Sequence, residues 1–162
     1  IVYVTQRWSL PDSDAGAYTF ATLIGQAIAY LIIGPLADRK GHKLVLELFA
    51  LITGAFYLLA WLGNSPGWFY PVFFLRGAAY SCSFVSGMLI AMEFSSPEMR
   101  PTYIGLNSTV SGVSNAIAPL IGGWLALGSG FQPLFALAVV ISLAGYAVLH
   151  WMVRDPREKA LG

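Results

Sequence analysis

From Ala15 to Ala37 the chain runs for more than twenty residues without one charged side chain, and then Asp38, Arg39, Lys40, His42 and Lys43 crowd into six positions. This abrupt change limits the fold more than any other feature. At about 1.5 Å per residue, an apolar helix of about 20 residues crosses a hydrocarbon core of about 30 Å. The basic turn that follows anchors in water, and its glycines let the chain reverse. Four further stretches are long enough to cross: about 44–62, 68–92, 102–126 and 131–153. Charged residues make up 10% of the chain and hydrophobic residues 57%. A soluble domain carries about 25% charged residues, so this chain cannot cover itself with a polar surface. The expected fold class is an all-α integral membrane protein with five transmembrane helices in one unit, residues 1–162, ending in a tail at 154–162.

Charge and cysteine content remove other classes. A net charge of +1 leaves no nucleic-acid footprint, and Cys82 alone makes neither a disulfide framework nor a thiolate metal site. No cofactor and no metal are expected. His42 and His150 are the only histidines, and both lie near predicted helix ends. No mid-span acid stands with a histidine, and the nucleophile-elbow and zinc-protease motifs are absent, so no enzyme is expected.

Orientation follows from the cations. Arg39, Lys40 and Lys43, Arg100, and Arg154, Arg157 and Lys159 all fall on one face of the five-span layout. Arg7 alone falls on the other. The positive-inside rule places those basic segments, and the C-terminus, in the cytoplasm of a plasma (inner) membrane protein. Residues 1–13, 63–67 and 127–130 are then outside.

The spans differ in polarity. The second and fifth carry little that is polar and suit lipid-facing positions. The first holds Gln26 and Tyr30, the third Arg76, Tyr80, Ser81, Ser83 and Ser86, and the fourth Asn107, Ser111, Ser114 and Asn115. The last four recur at helical spacing and form one stripe. Such groups either pack helices together or face a water-filled cavity, and both readings stay open for Gln26, Tyr30, Asn107, Ser111 and Asn115. Arg76 either snorkels to the outer interface or points into the cavity. In the fourth span Pro119 removes a backbone donor, which predicts a bend near 114–118, and Gly122 and Gly123 would admit a close neighbour. Ile33-Gly-Pro-Leu-Ala37 and Ile117-Ala-Pro-Leu-Ile-Gly-Gly123 echo each other in spans of opposite direction, as inverted three-helix repeats do.

The segment Gly34-Pro-Leu-Ala-Asp-Arg-Lys-Gly-His-Lys-Leu-Val-Leu46 resembles the signature of the major facilitator superfamily (MFS), Gly-x-Leu-Ala-Asp-Arg-x-Gly-Arg followed by Arg or Lys. His42 stands where that signature carries a fixed cation. Gly105, Ala118-Pro119 and Gly122-Gly123 resemble the glycine–proline pattern of a gating helix in drug antiporters, with Ser114 and Ala118 in place of two glycines. Arg76-Gly77 looks like the arginine of the corresponding family helix. The resemblance implies an MFS-type six-helix half with inverted three-helix repeats. Both halves of that family carry related loops; the charged tail Arg154-Asp-Pro-Arg-Glu-Lys159 after the last span reads like a C-terminus, so most of the C-terminal half is expected, with the chain's spans as helices eight to twelve. The resemblance also implies that the first, third and fourth spans line a central cavity and that the second and fifth face lipid. It implies secondary transport of a small-molecule substrate by alternating access, together with the missing other half, in a lipid bilayer, with room for a coupling proton or ion. The segment of Gly34, Asp38, Arg39, Gly41 and Lys43 would latch one state, with Asp38 meeting a helix N-terminus across the two halves and Arg39 meeting Glu93. Arg100 joins that network. The alternative is a transporter-shaped sensor or assembly partner that moves no solute.

Overall fold

The computed structural model describes residues 1–93 and 95–153. The tail at 154–162, with Arg154, Arg157 and Lys159, lies outside the described residues. The regular structure among them is helical: α1 (Val2–Trp8), α2 (Asp12–Lys40), α3 (His42–Leu62), α4 (Phe69–Glu93), α5 (Arg100–Ser129) and α6 (Phe131–Met152). Short 3₁₀ turns at Pro66–Trp68 and Pro97–Met99 lead into α4 and α5. The last five helices are long and apolar enough to cross a membrane, and the chain is an all-α membrane protein.

Two joints are tighter than the sequence suggests. The first span, α2, does not stop at Ala37; it continues through Asp38 and Arg39 to Lys40, and α3 starts at His42. Arg39 and Lys40 thus sit in the last turn of α2, where cations complement the helix dipole. The whole reversal falls on Gly41, at φ 93°, a region that favours glycine. Its N–H donates to the Ala37 carbonyl at 2.9 Å. Likewise α5 does not end at Ala126 but runs to Ser129, and the joint to α6 is Gly130, at φ 79°. Both α2 and α5 also continue unbroken past an internal proline, Pro35 and Pro119. A helix of 29 or 30 residues with an internal proline, one left-handed glycine, and a nearly uncharged helix therefore occurs twice. The two copies, α2–α3 and α5–α6, are the two ends of the echo seen in the sequence.

The core of the bundle is the α2–α4 pair. The two helices run in the same direction, as Tyr18 on Phe73, Gln26 beside Ser81 and Tyr30 on Phe84 show. Their backbones touch at two glycines. A Cβ on Gly25 would stand 2.1 Å from the Phe74 carbonyl oxygen, and one on Gly77 would stand 2.0 Å from that of Thr22. Small residues permit such an approach, and dispersion and polar contacts then hold it where no hydrophobic drive exists between lipid-immersed helices. The Ser81 hydroxyl donates to the Gln26 carbonyl at 3.0 Å, adding a hydrogen bond inside the seam. At the Gly130 end, the Tyr18 hydroxyl donates to the Pro66 carbonyl at 3.0 Å and closes the seam over the turn.

Helix α3 packs antiparallel on both α4 and α6 and joins α6 to the pair. Helix α5 stands apart: none of its described residues is buried. Along α2 a row of large apolar side chains, including Phe20, Leu23, Leu31 and Ile32, is also exposed.

Candidate functional site

Helices α2, α4 and α5 converge on one open groove of about 630 Å³. Its walls carry Tyr30 from α2, Tyr80, Ser83 and Phe84 from α4, and Asn107 and Ser111 from α5. These are the three spans that the sequence marks as polar. The spacing explains the wall on α4. Tyr80 and Phe84 are one helical turn apart, so both rings emerge on the same face. Their planes lie within 16° of parallel, at 6.1 Å between centroids. The Tyr30 ring meets Phe84 edge-on at 6.3 Å and 78°. The Asn107 amide donates to the Gly87 carbonyl at 3.3 Å and ties α5 to α4 across the groove. That bond uses the Nδ2 side of the amide, and its oxygen remains an acceptor.

The remaining candidates fall elsewhere. Gln26 is half-buried in the α2–α4 seam, where its backbone carbonyl takes the Ser81 hydroxyl. Asn115 is exposed on α5 and is not part of the groove wall. Arg76 is exposed and lines a different cavity, of about 160 Å³, with Tyr3, Tyr57, Phe73 and Phe135 toward the Gly130 end. Gly122 and Gly123 admit no close neighbour among the described residues: a Cβ on Gly122 would meet Leu134 Cδ1 at 3.9 Å, and one on Gly123 would meet nothing within 4 Å. The close backbone approach is made instead by Gly25 and Gly77. Their signal is present as small residues four apart, Ala21, Gly25 and Ala29 on one helix and Gly77 and Ser81 on the other.

The Gly41 end carries the ionic contacts. His42, the first residue of α3, is buried against α4. Its Nδ1 lies 3.1 Å from the Ser86 hydroxyl and its Nε2 lies 3.9 Å from Glu93 Oε1. Glu47 is buried as well, and its Oε1 takes Lys43 Nζ at 3.5 Å and His150 Nδ1 at 3.4 Å. The Lys43 contact is an i,i+4 pair along α3. The His150 contact crosses to α6, where the ring also stacks on Tyr146 at 5.4 Å. One set of contacts therefore holds the α2–α3 joint on α4, and the other holds α3 on α6. Asp38, Arg39 and Arg100 are exposed at this same end.

The family model of the Major Facilitator Superfamily matches residues 1–161. Among curated proteins, the chain is 30% identical to "4-hydroxybenzoate transporter PcaK" of Pseudomonas aeruginosa over 94% of its own length and 36% of that protein's. It is 31% identical to "Solute carrier family 67 member A1" of Homo sapiens, over 93% of the chain and 36% of the relative. It is 31% identical to "Multidrug resistance protein MdtG" of Yersinia enterocolitica, over 83% of the chain and 32% of the relative. The chain spans about a third of the length of the curated relatives it matches. No solved structure matches at a significant level. With the signature segment folded around Gly41 and the match running nearly end to end, the chain belongs to the Major Facilitator Superfamily.

Proposed function

We propose that the chain is most of one half of a secondary transporter that moves a small solute by alternating access. The observation that carries this is the groove where α2, α4 and α5 meet, with Tyr30, Asn107 and Ser111 on its walls. Intramembrane polar groups are costly in lipid and belong where a solute or water can use them. The groove is open on one side, as half of a central site would be. The exposed apolar row of α2 and the unburied α5 are the surfaces on which the other half packs. Two of the relatives are named for transport of 4-hydroxybenzoate and for multidrug resistance.

In this reading the α2–α4 seam and the α3–α6 contacts make a rigid body that rocks as one unit. The Gly41 end is the cytoplasmic latch: Gly34 and Gly41 shape it, Asp38 meets a helix end of the other half, and Arg39, Lys43, Glu93 and Arg100 share its charges. Gln26 and Asn115 join the cavity wall once the other half is in place, Arg76 stays in its separate cavity at the Gly130 end, and Pro119, Gly122 and Gly123 form a gate that flexes in α5.

The test is uptake by the full-length protein in liposomes. Asn107→Ala should raise the apparent KM about tenfold, the effect of one hydrogen bond worth about 1.4 kcal/mol, with near-normal insertion. Unchanged uptake kinetics would remove Asn107 from the solute site. Topology gives a separate check. In a Cys82→Ser background, a cysteine at Lys40 should react from the cytoplasmic side and one at Asn64 from the outside, as the cation bias requires. Reaction of both from one side would end the five-span arrangement.

A further inference from the structure

We infer that the groove recognises a planar aromatic solute, whose ring lies on Tyr80 and Phe84. This deepens, and rests on, the reading of the groove as a solute site. Three rings reach it from two helices: Tyr80 and Phe84 from α4 and Tyr30 from α2. Tyr80 and Phe84 are 55% and 66% exposed, although each sits at mid-helix in a membrane protein. Their near-parallel planes offer a π face, and the edge-on Tyr30 offers the other geometry that aromatic pairs prefer. An inserted ring could stack on the first pair and meet the third at its edge.

The polar groups complement a ring that carries a hydroxyl or a carbonyl. Ser83 stands on the same helix as the rings, and Asn107 and Ser111 face them from α5. Together they supply hydroxyls and an amide, which donate and accept. No charged side chain lies on the described wall of the groove. Discrimination within this half therefore comes from ring shape and hydrogen bonding, and a charge on the solute is met by the other half.

The alternative occupant of the rings is the other half of the transporter, packed on them permanently. The two are separated by probes that differ only in the ring. Binding to the purified full-length protein would be measured for 4-hydroxybenzoate and 4-hydroxybenzamide, each against its saturated counterpart with a cyclohexane ring. The counterparts keep the polar groups and lose the π face. In at least one pair the aromatic member should bind about tenfold more tightly. Tyr80→Leu and Phe84→Leu should each bring that ratio close to one while affinity for the saturated member stays the same. Equal binding of ring and saturated forms, binding of neither aromatic probe, or a ratio unmoved by both substitutions would overturn the proposal. A fall in melting temperature with the ratio intact would assign the rings to packing and overturn it too. Uptake in liposomes is read separately. An aromatic preference in binding without uptake would uphold the ring site and sink the transport reading, and uptake of both members at equal affinity would do the reverse.

Discussion

Gly77→Ala should destabilise the full-length protein by about 3 kcal/mol, the upper end of what an added methyl costs in a well-packed interior. The new Cβ would stand 2.0 Å from the Thr22 carbonyl oxygen and 2.9 Å from the Gln26 nitrogen. Both obstacles are backbone, so no side-chain rotation relieves the clash. The helices must part, and parting them also stretches the Ser81 to Gln26 hydrogen bond. Gly25→Ala should behave alike, since its Cβ would meet the Phe74 carbonyl at 2.1 Å. Gly145→Ala is the control. It lies on an exposed stretch of α6 with nothing within 4 Å, and alanine is the better helix former by about 1 kcal/mol. Thermal melting of the three variants in one detergent decides the matter. If Gly77→Ala melts with Gly145→Ala, the α2–α4 seam is looser than described and the rigid-body reading loses its base.

These glycines also show where sequence reading stops. The five spans are legible because a bilayer demands length and apolarity, and little else competes with that demand. The polar sorting is legible for the same reason: α2, α4 and α5 carry their Tyr, Ser and Asn residues at a cost, and those helices are the ones around the groove. Joints are less legible. Gly34, Gly41, Gly128 and Gly130 all look able to turn the chain, and only the fold selects Gly41 and Gly130. Partners across helices are hardest. Small residues at fourfold spacing occur on α2, α4 and α5 alike, and the sequence draws the eye to Gly122 and Gly123. The tight contact forms at Gly25 and Gly77, because which stripe meets which depends on the rotation of each helix about its axis. In the same way the Tyr80–Phe84 pair reads as ordinary span residues until α2 and α5 are placed around it.

His42 carries the second large effect. At the position where the family signature has a fixed cation, this chain places an imidazole that is only 6% exposed, with Ser86 at 3.1 Å and Glu93 at 3.9 Å. Because α3 starts at this residue, the ring ties the Gly41 joint directly to α4. In the proposed latch, the contact orients the charged end of α2, with Asp38 and Arg39, toward the other half. His42→Ala and Glu93→Gln should each lower uptake about tenfold with little change in membrane yield. That factor is about 1.4 kcal/mol. If the two side chains act through each other, the double variant should be no worse than the worse single one. Independent roles would multiply instead, giving a loss of about a hundredfold. Glu47→Gln supplies the contrast. Its carboxylate binds Lys43 and His150 and joins α3 to α6 within one half. It should therefore lower the melting temperature and leave the coupling between His42 and Glu93 intact. Multiplicative losses would show that His42 and Glu93 act on uptake independently and that the contact between them does not hold the latch.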